Sequence, residues 1–245
     1  MNYLILIASF MLIGTGVGAE TVPESMHTRQ VVEELTQANQ AVLKQYDSFA
    51  DALSQVYQRG EGLIYRDVQK IFKAVAFSAD KHRSQTRKDA QQTPYIIHPI
   101  GVTHTLLTLG KVRDADILIA GLLHDTVEDT ATSFEEISQA FGPRVAALVR
   151  EVTDDKSLPK HVRKQLQIEH AAEKSAGAAQ IKLADKLYNL NDLTQSSPSD
   201  WDQERVDAYF LWAKQVVDHL PWVNAPLKNA VDEMIQAHLK VMAIL

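Results

Sequence analysis

The chain has 245 residues, 45% of them hydrophobic and 23% charged, which is globular composition and excludes a disordered or low-complexity protein. Cysteine is absent, so disulfide frameworks, thiolate metal sites and thiol nucleophiles are excluded. The net charge of −6 provides no global basic field for nucleic acid, so an anionic ligand has to be met by local basic clusters.

Residues 1–19 carry no charged side chain. Tyr3 to Ile13 is an apolar run broken only by Ser9, shorter than the ~20 apolar residues a membrane-spanning helix takes. Val17 and Ala19 stand at the small-residue positions of a cleavage site before Glu20. The segment reads as a signal peptide, implying an exported, periplasmic protein with no stable membrane anchor after cleavage. No Lys or Arg precedes the run, and the alternative is an uncleaved, cytoplasmic chain.

Residues 20–62 read as an N-terminal helical extension. Leu35, Val42, Tyr46, Phe49, Leu53 and Val56 recur at helical spacings, and Gly60 and Gly62 break the pattern. This seam is expected to pack on the rest of the chain or to pair two copies into a homo-oligomer, and it carries no chemistry.

Residues 63–245 read as consecutive helices. One runs from Tyr65 to Arg83, followed by a polar, basic loop from Ser84 to Thr93. Pro94 and Pro99 flank a turn that leads into a helix ending near Leu109. Asp114 caps an apolar helix predicted from Ala115 to Val127, and Ser133 with Glu136 forms a capping box for the next. Further helices are predicted over 144–152, from Pro159 to about Ser175, over 178–193, after Asp200, and beyond Pro226. Glycine is scarce, 10 against the 17 or so that ~7% usage would give, and no strand-like alternation occurs. The predicted class is all-α.

The chemistry concentrates in Leu122-Leu123-His124-Asp125-Thr126-Val127-Glu128-Asp129-Thr130. Residues four apart share a helix face, so an imidazole and three carboxylates would gather at the end of a buried element. Such a cluster repels itself unless a cation neutralises it. His82, closing its helix, and Asp185, alone in an apolar-periodic helix, complete a candidate set of two imidazoles and two carboxylates. That set suits Mn²⁺, Fe²⁺ or Zn²⁺. His98, between Ile97 and Pro99, is read as structural, making hydrogen bonds behind the site.

The set His82, His124-Asp125 and Asp185 resembles the H…HD…D signature of HD phosphohydrolases. Longer stretches are similar to the hydrolase domain of the RelA/SpoT family, notably Thr93-Pro94-Tyr95-Ile96-Ile97-His98-Pro99, Glu151-Val152-Thr153-Asp154-Asp155-Lys156 and Lys182-Leu183-Ala184-Asp185-Lys186-Leu187-Tyr188-Asn189. The resemblance runs from about Val68 to Leu220 and is to single-domain alarmone hydrolases. It implies an HD-domain helical bundle, here with an extra N-terminal helix. It also implies a (p)ppGpp 3′-pyrophosphohydrolase releasing GDP or GTP and pyrophosphate, with Mn²⁺ on His82, His124, Asp125 and Asp185. By the same resemblance, Glu128 and Asp129 orient or deprotonate the attacking water, and Arg87, Lys88, Asn189 and Tyr209 bind the nucleotide. Lys81, Arg83, Arg87 and Lys88, or Lys156, Lys160, Arg163 and Lys164, would hold the distal pyrophosphate. Asn191 stands where the family commonly carries Arg, which leaves a phosphatase for another nucleotide, such as NADPH or an exported (p)ppGpp analogue, as an alternative. A non-catalytic nucleotide-binding module is a second.

Overall fold

The apolar seam of residues 20–62 forms a helical hairpin. The computed structural model describes residues 23–195 and 197–242, and in it α1 (Pro23–Leu35) and α2 (Gln40–Gln58) are joined by a tight turn. Gln37 and Ala38 take positive φ there, and the Asn39 side chain caps α2 by accepting from the N–H groups of Ala41 and Val42. The hairpin lies on the main body, α1 along α3 (Tyr65–Lys81) and α2 along α4 (Ile97–Thr108). The seam residues Val42, Tyr46, Phe49, Leu53 and Val56 are buried. Phe49 sets its ring edge-on to His104, and Tyr46 donates its hydroxyl to the Ser25 carbonyl. Glu24 receives hydrogen bonds from Tyr65 and Gln69. The expected signal peptide, residues 1–19, lies outside the described residues.

The centre of the bundle is α5 (Ala115–Leu123), whose residues from Ile117 to Leu123 are all buried. A helix apolar on every side is stable only when surrounded. Its neighbours are α3, α4, α8 (Pro143–Val152) and α10 (Ala176–Gln195). The crossing of α4 and α10 depends on Gly101, since a Cβ there would fall 1.9 Å from the Tyr188 ring. That close approach brings the start of α4 up to the middle of α10.

The helix predicted over 115–127 is interrupted. It ends at Leu123, and a separate turn, α6 (Thr126–Asp129), follows. Side chains take over the carbonyls at the break: Thr126 Oγ1 donates to the Leu123 oxygen at 2.7 Å, and His124 Nδ1 lies 2.8 Å from the Gly121 oxygen. The break frees His124 and Asp125 from the helix face they were expected to share with Glu128 and Asp129. The predicted helix from Pro159 is also shorter, running as α9 (Lys160–Glu169) into a 3₁₀ turn over Ala171–Glu173. α7 (Phe134–Phe141), capped by Ser133, precedes α8, while α11 (Gln203–His219) and α12 (Ala225–Met242) close the fold. Among the described residues there is no strand, only an isolated bridge between Thr86 and Pro94 across the loop after α3. No described helix is long and apolar enough to cross a membrane.

Candidate metal centre and its cavities

Three elements deliver the cluster. His98 sits in the first turn of α4, His124 and Asp125 at the break after α5, and Asp185 midway along α10. His98 Nε2 lies 3.3 Å from His124 Nε2, 3.3 Å from Asp185 Oδ1 and 3.5 Å from Asp125 Oδ2. His124 Nε2 is 3.0 Å from Asp125 Oδ2 and 3.8 Å from Asp185 Oδ1. His98, His124 and Asp185 present ligand atoms that all lie within 4.8 Å of one another. His124 Nδ1 faces a carbonyl, which only accepts, so that nitrogen carries hydrogen and the lone pair of the neutral ring points into the cluster. Lone pairs and carboxylates converging in a buried place call for a cation. The atoms suit a divalent metal on a nitrogen and oxygen donor set.

The supporting contacts fix the carboxylates. Tyr95 donates its hydroxyl to Asp125 Oδ2 at 2.6 Å. Asp185 receives Asn189 Nδ2 on Oδ1 at 2.7 Å and Lys186 Nζ on Oδ2 at 3.1 Å. Burial alone would raise both carboxyls. His124 and His98 around Asp125, and Lys186 with the same imidazoles around Asp185, hold them well below the usual range. Burial would lower His124, but Asp125 and Asp185 outweigh it and push the imidazole up to about 10. In the absence of metal, the cluster therefore draws in a proton.

The structure revises the assignment of the histidines. His98, expected to work from behind, is inside the cluster. His82 is outside the closely spaced set: it ends α3, buried, with Nδ1 2.7 Å from Gln85 Oε1 and its ring 4.8 Å from that of Tyr95. Its Nε2 has no hydrogen-bond partner. His98, alone among Ile97, Pro99, Ile100 and Val102, carries the same signal as Asp185, one titratable group in an apolar helix.

Glu128 and Asp129 stand beside the cluster on α6. Glu128 Oε2 accepts from the Asp154 N–H at 2.9 Å, while Oε1 lies 3.3 Å from Lys156 Nζ and 3.7 Å from Arg163. Burial pushes the Glu128 carboxyl above its ordinary value, against the pull of the Asp154 amide. Asp129 accepts from Lys156 Nζ at 2.7 Å, and its backbone oxygen accepts from Gln85 at 2.6 Å. Two cavities meet here. One, of about 510 Å³, offers the rings of Tyr95, Tyr188, Trp201 and Tyr209 among charged and polar residues that include Arg87, Lys88 and Asp192. The other, of about 240 Å³, brings Lys160, Arg163, Lys164, Lys182 and Lys186 together with His98, Asp125 and Asp185, with Glu128, Asp129 and Asp154 also in its lining. Tyr95, Asp129, Asn189 and Tyr209 border both.

The expected nucleotide contacts fall on these walls, but not alike. Lys88 is exposed beside the aromatic cavity. Arg87 is already engaged, donating to Asp192 at 2.7 Å and to Asn189 Oδ1 at 3.0 Å. Asn191 accepts from Gln195 on its own helix and contributes no cation.

A helical bundle with paired histidines and aspartates buried at its centre is the architecture of an HD protein. Residues 74–214 match the family described as HD domain, and the chain belongs to that family. Among curated relatives, it is 53% identical to guanosine-3′,5′-bis(diphosphate) 3′-pyrophosphohydrolase MESH1 of Drosophila melanogaster over 167 residues, covering 68% of this chain and 93% of that one. It is 49% identical to the Homo sapiens protein of the same name over 170 residues, 69% of this chain and 95% of the other. A solved structure described as a metazoan ortholog of SpoT that hydrolyzes ppGpp is 52% identical and superposes with a TM-score of 0.68, over 69% of this chain and 95% of that one.

Proposed function

We propose that this chain hydrolyses the 3′-pyrophosphate of (p)ppGpp, giving GDP or GTP and pyrophosphate. The observation that carries the reading is the junction of the metal-suited cluster with one cavity that offers four aromatic rings and another that offers five Lys and Arg side chains. A guanosine needs the first and a pyrophosphate the second. About 50% identity to proteins named for this reaction, over nearly their whole length, supports it.

His98, His124, Asp125 and Asp185 would hold the ion, which we take to be Mn²⁺, in keeping with a donor set free of thiolate. Bound there, the metal supplies Lewis acidity to a water and to a phosphoryl oxygen. Glu128, its carboxyl raised by burial, receives the proton of the attacking water. Asp129, tethered by Lys156, aims that water. Lys88 and Tyr209 hold the nucleotide, with Arg87 and Asn189 shaping the wall against it.

The test is direct. The purified protein with Mn²⁺ and ppGpp should release pyrophosphate and GDP, and His98→Ala should not. Turnover of other nucleotides with ppGpp left intact would reject this substrate and favour the alternative nucleotide phosphatase.

A further inference from the structure

Lys182 is the buried cation of the phosphate-sized cavity that, among the described residues, the protein leaves uncommitted. It lies on α10 three residues before Asp185, about 4.5 Å along the helix axis. It is 8% exposed, yet among the described residues it makes no hydrogen bond and no ion pair. The neighbouring cations are occupied. Lys186 is on Asp185, and Lys156 is on Asp129 and Glu128. Arg163 donates to the Leu158 carbonyl, and the Lys164 ammonium lies over the rings of Tyr209 and Trp212. Lys160 also lacks a partner, but it is exposed and needs none.

The Lys182 side chain is buried, but its ammonium opens onto the cavity without a protein acceptor, a placement in which an anionic ligand supplies the missing one. Lys182 faces the cationic cavity together with Glu128 and Asp185. It also borders a further cavity of about 160 Å³, so it stands in the partition where the cationic cavity ends. We infer that Lys182 reads the length of the phosphate chain, donating to the distal phosphoryl of a diphosphate whose proximal phosphoryl sits at the His98–His124–Asp125–Asp185 cluster. A monophosphate held at the cluster has no second phosphoryl to reach it. The inference deepens the hydrolase reading and rests on it for the identity of the nucleotide.

The experiment titrates inorganic pyrophosphate and inorganic phosphate into the full-length, Mn²⁺-loaded protein as wild type, Lys182→Met and Lys182→Arg. A charge-assisted hydrogen bond predicts that Lys182→Met weakens pyrophosphate about 10- to 100-fold, with a much smaller change for phosphate. Lys182→Arg should restore most of the difference, and kcat/KM for ppGpp should follow pyrophosphate affinity. Methionine is of similar length and removes a desolvated charge, so thermal melts should show Lys182→Met at least as stable as wild type. Equal losses for both anions, or none for pyrophosphate, overturn the inference. Wild type that cleaves ppGpp no better than Lys182→Met leaves the hydrolase reading standing and removes the role of Lys182. Wild type that binds pyrophosphate through Lys182 but leaves ppGpp intact keeps the diphosphate site and removes the hydrolase reading.

Discussion

Asn189 donates from Nδ2 to Asp185 Oδ1 at 2.7 Å while its own Oδ1 receives Arg87 at 3.0 Å. The Arg87 bond leaves the amide only one useful orientation, with its donor on Asp185. Arg87 is in turn anchored by Asp192 at 2.7 Å. The basic residue expected to touch nucleotide is thus the outer end of a chain that orients a carboxylate of the metal site. Asn189→Ala should weaken Mn²⁺ binding about 10- to 100-fold, the usual cost of losing a partner that orients a ligand. Arg87→Met should produce part of that loss in a metal titration, before any substrate is added. Unchanged metal affinity in both variants, with only KM for nucleotide raised, would return Arg87 to the role of substrate contact.

His98 and His82 are separable by metal content. His98→Ala removes a nitrogen from the centre of the cluster and should abolish stoichiometric Mn²⁺ binding. His82→Ala removes a ring packed on Tyr95 and leaves Gln85, which also holds the Asp129 backbone, without its imidazole partner. It should lower Tm and activity while the purified protein still takes up one equivalent of metal. The reverse pattern, metal lost with His82 and retained with His98, would contradict this assignment.

Both histidines were visible in the sequence, and the reason only one belongs to the cluster is tertiary. The all-α class, the capping residues Asp114 and Ser133, and the buried seam of α2 follow from local pattern, which periodicity and cap chemistry report well. The acidic run after Leu123 marks the site for the same reason. The break between α5 and α6 depends on side chains taking backbone carbonyls, which leaves no trace in apolar spacing. The entry of His98 depends on Gly101 allowing Tyr188 close to α4, a relation between residues 87 positions apart in the sequence. The solitude of Lys182 is equally invisible, since it consists in where the other cations went.

Export is tested apart from the chemistry. The charge-free leader and the small residues before Glu20 predict that N-terminal sequencing of protein recovered from the periplasm begins at Glu20. Recovery in the cytoplasm beginning at Met1 or Asn2 would set aside the signal-peptide reading and leave the substrate assignment untouched.

The extension should contribute stability and not catalysis. Phe49 is fully buried on α2 and edge-on to His104 of α4, and it lines neither cavity at the cluster. Phe49→Ala opens a cavity between the hairpin and the main body and should cost about 3–5 kcal/mol in denaturant unfolding. With the variant kept folded at low temperature, kcat/KM should stay within about twofold, a shift of roughly 0.4 kcal/mol in the barrier. A large fall in kcat with intact metal content would instead tie the hairpin to the reaction through α4.

Acid and base should act on the cluster in opposite directions. His124 is raised from 6.5 to about 10, so the metal-free folded protein keeps a proton that the unfolded chain loses. That stabilisation is complete below pH 6.5 and disappears as pH rises towards about 10. Asp125 and Asp185 are lowered, so their contribution is present above their ordinary 3.8 and is lost as pH falls below it. His98 and His82, lowered by burial, act the other way and cost stability as pH falls below 6.5, so chelator-treated protein should weaken both below about pH 4 and towards pH 9. Metal binding displaces the His124 proton, so Mn²⁺ affinity should rise by up to about tenfold per pH unit over the alkaline part of that range. The gap in Tm between loaded and chelated protein should widen from pH 6.5 to 9. A gap that stays constant with pH in the wild type would mean that the cluster does not hold a proton in place of the metal.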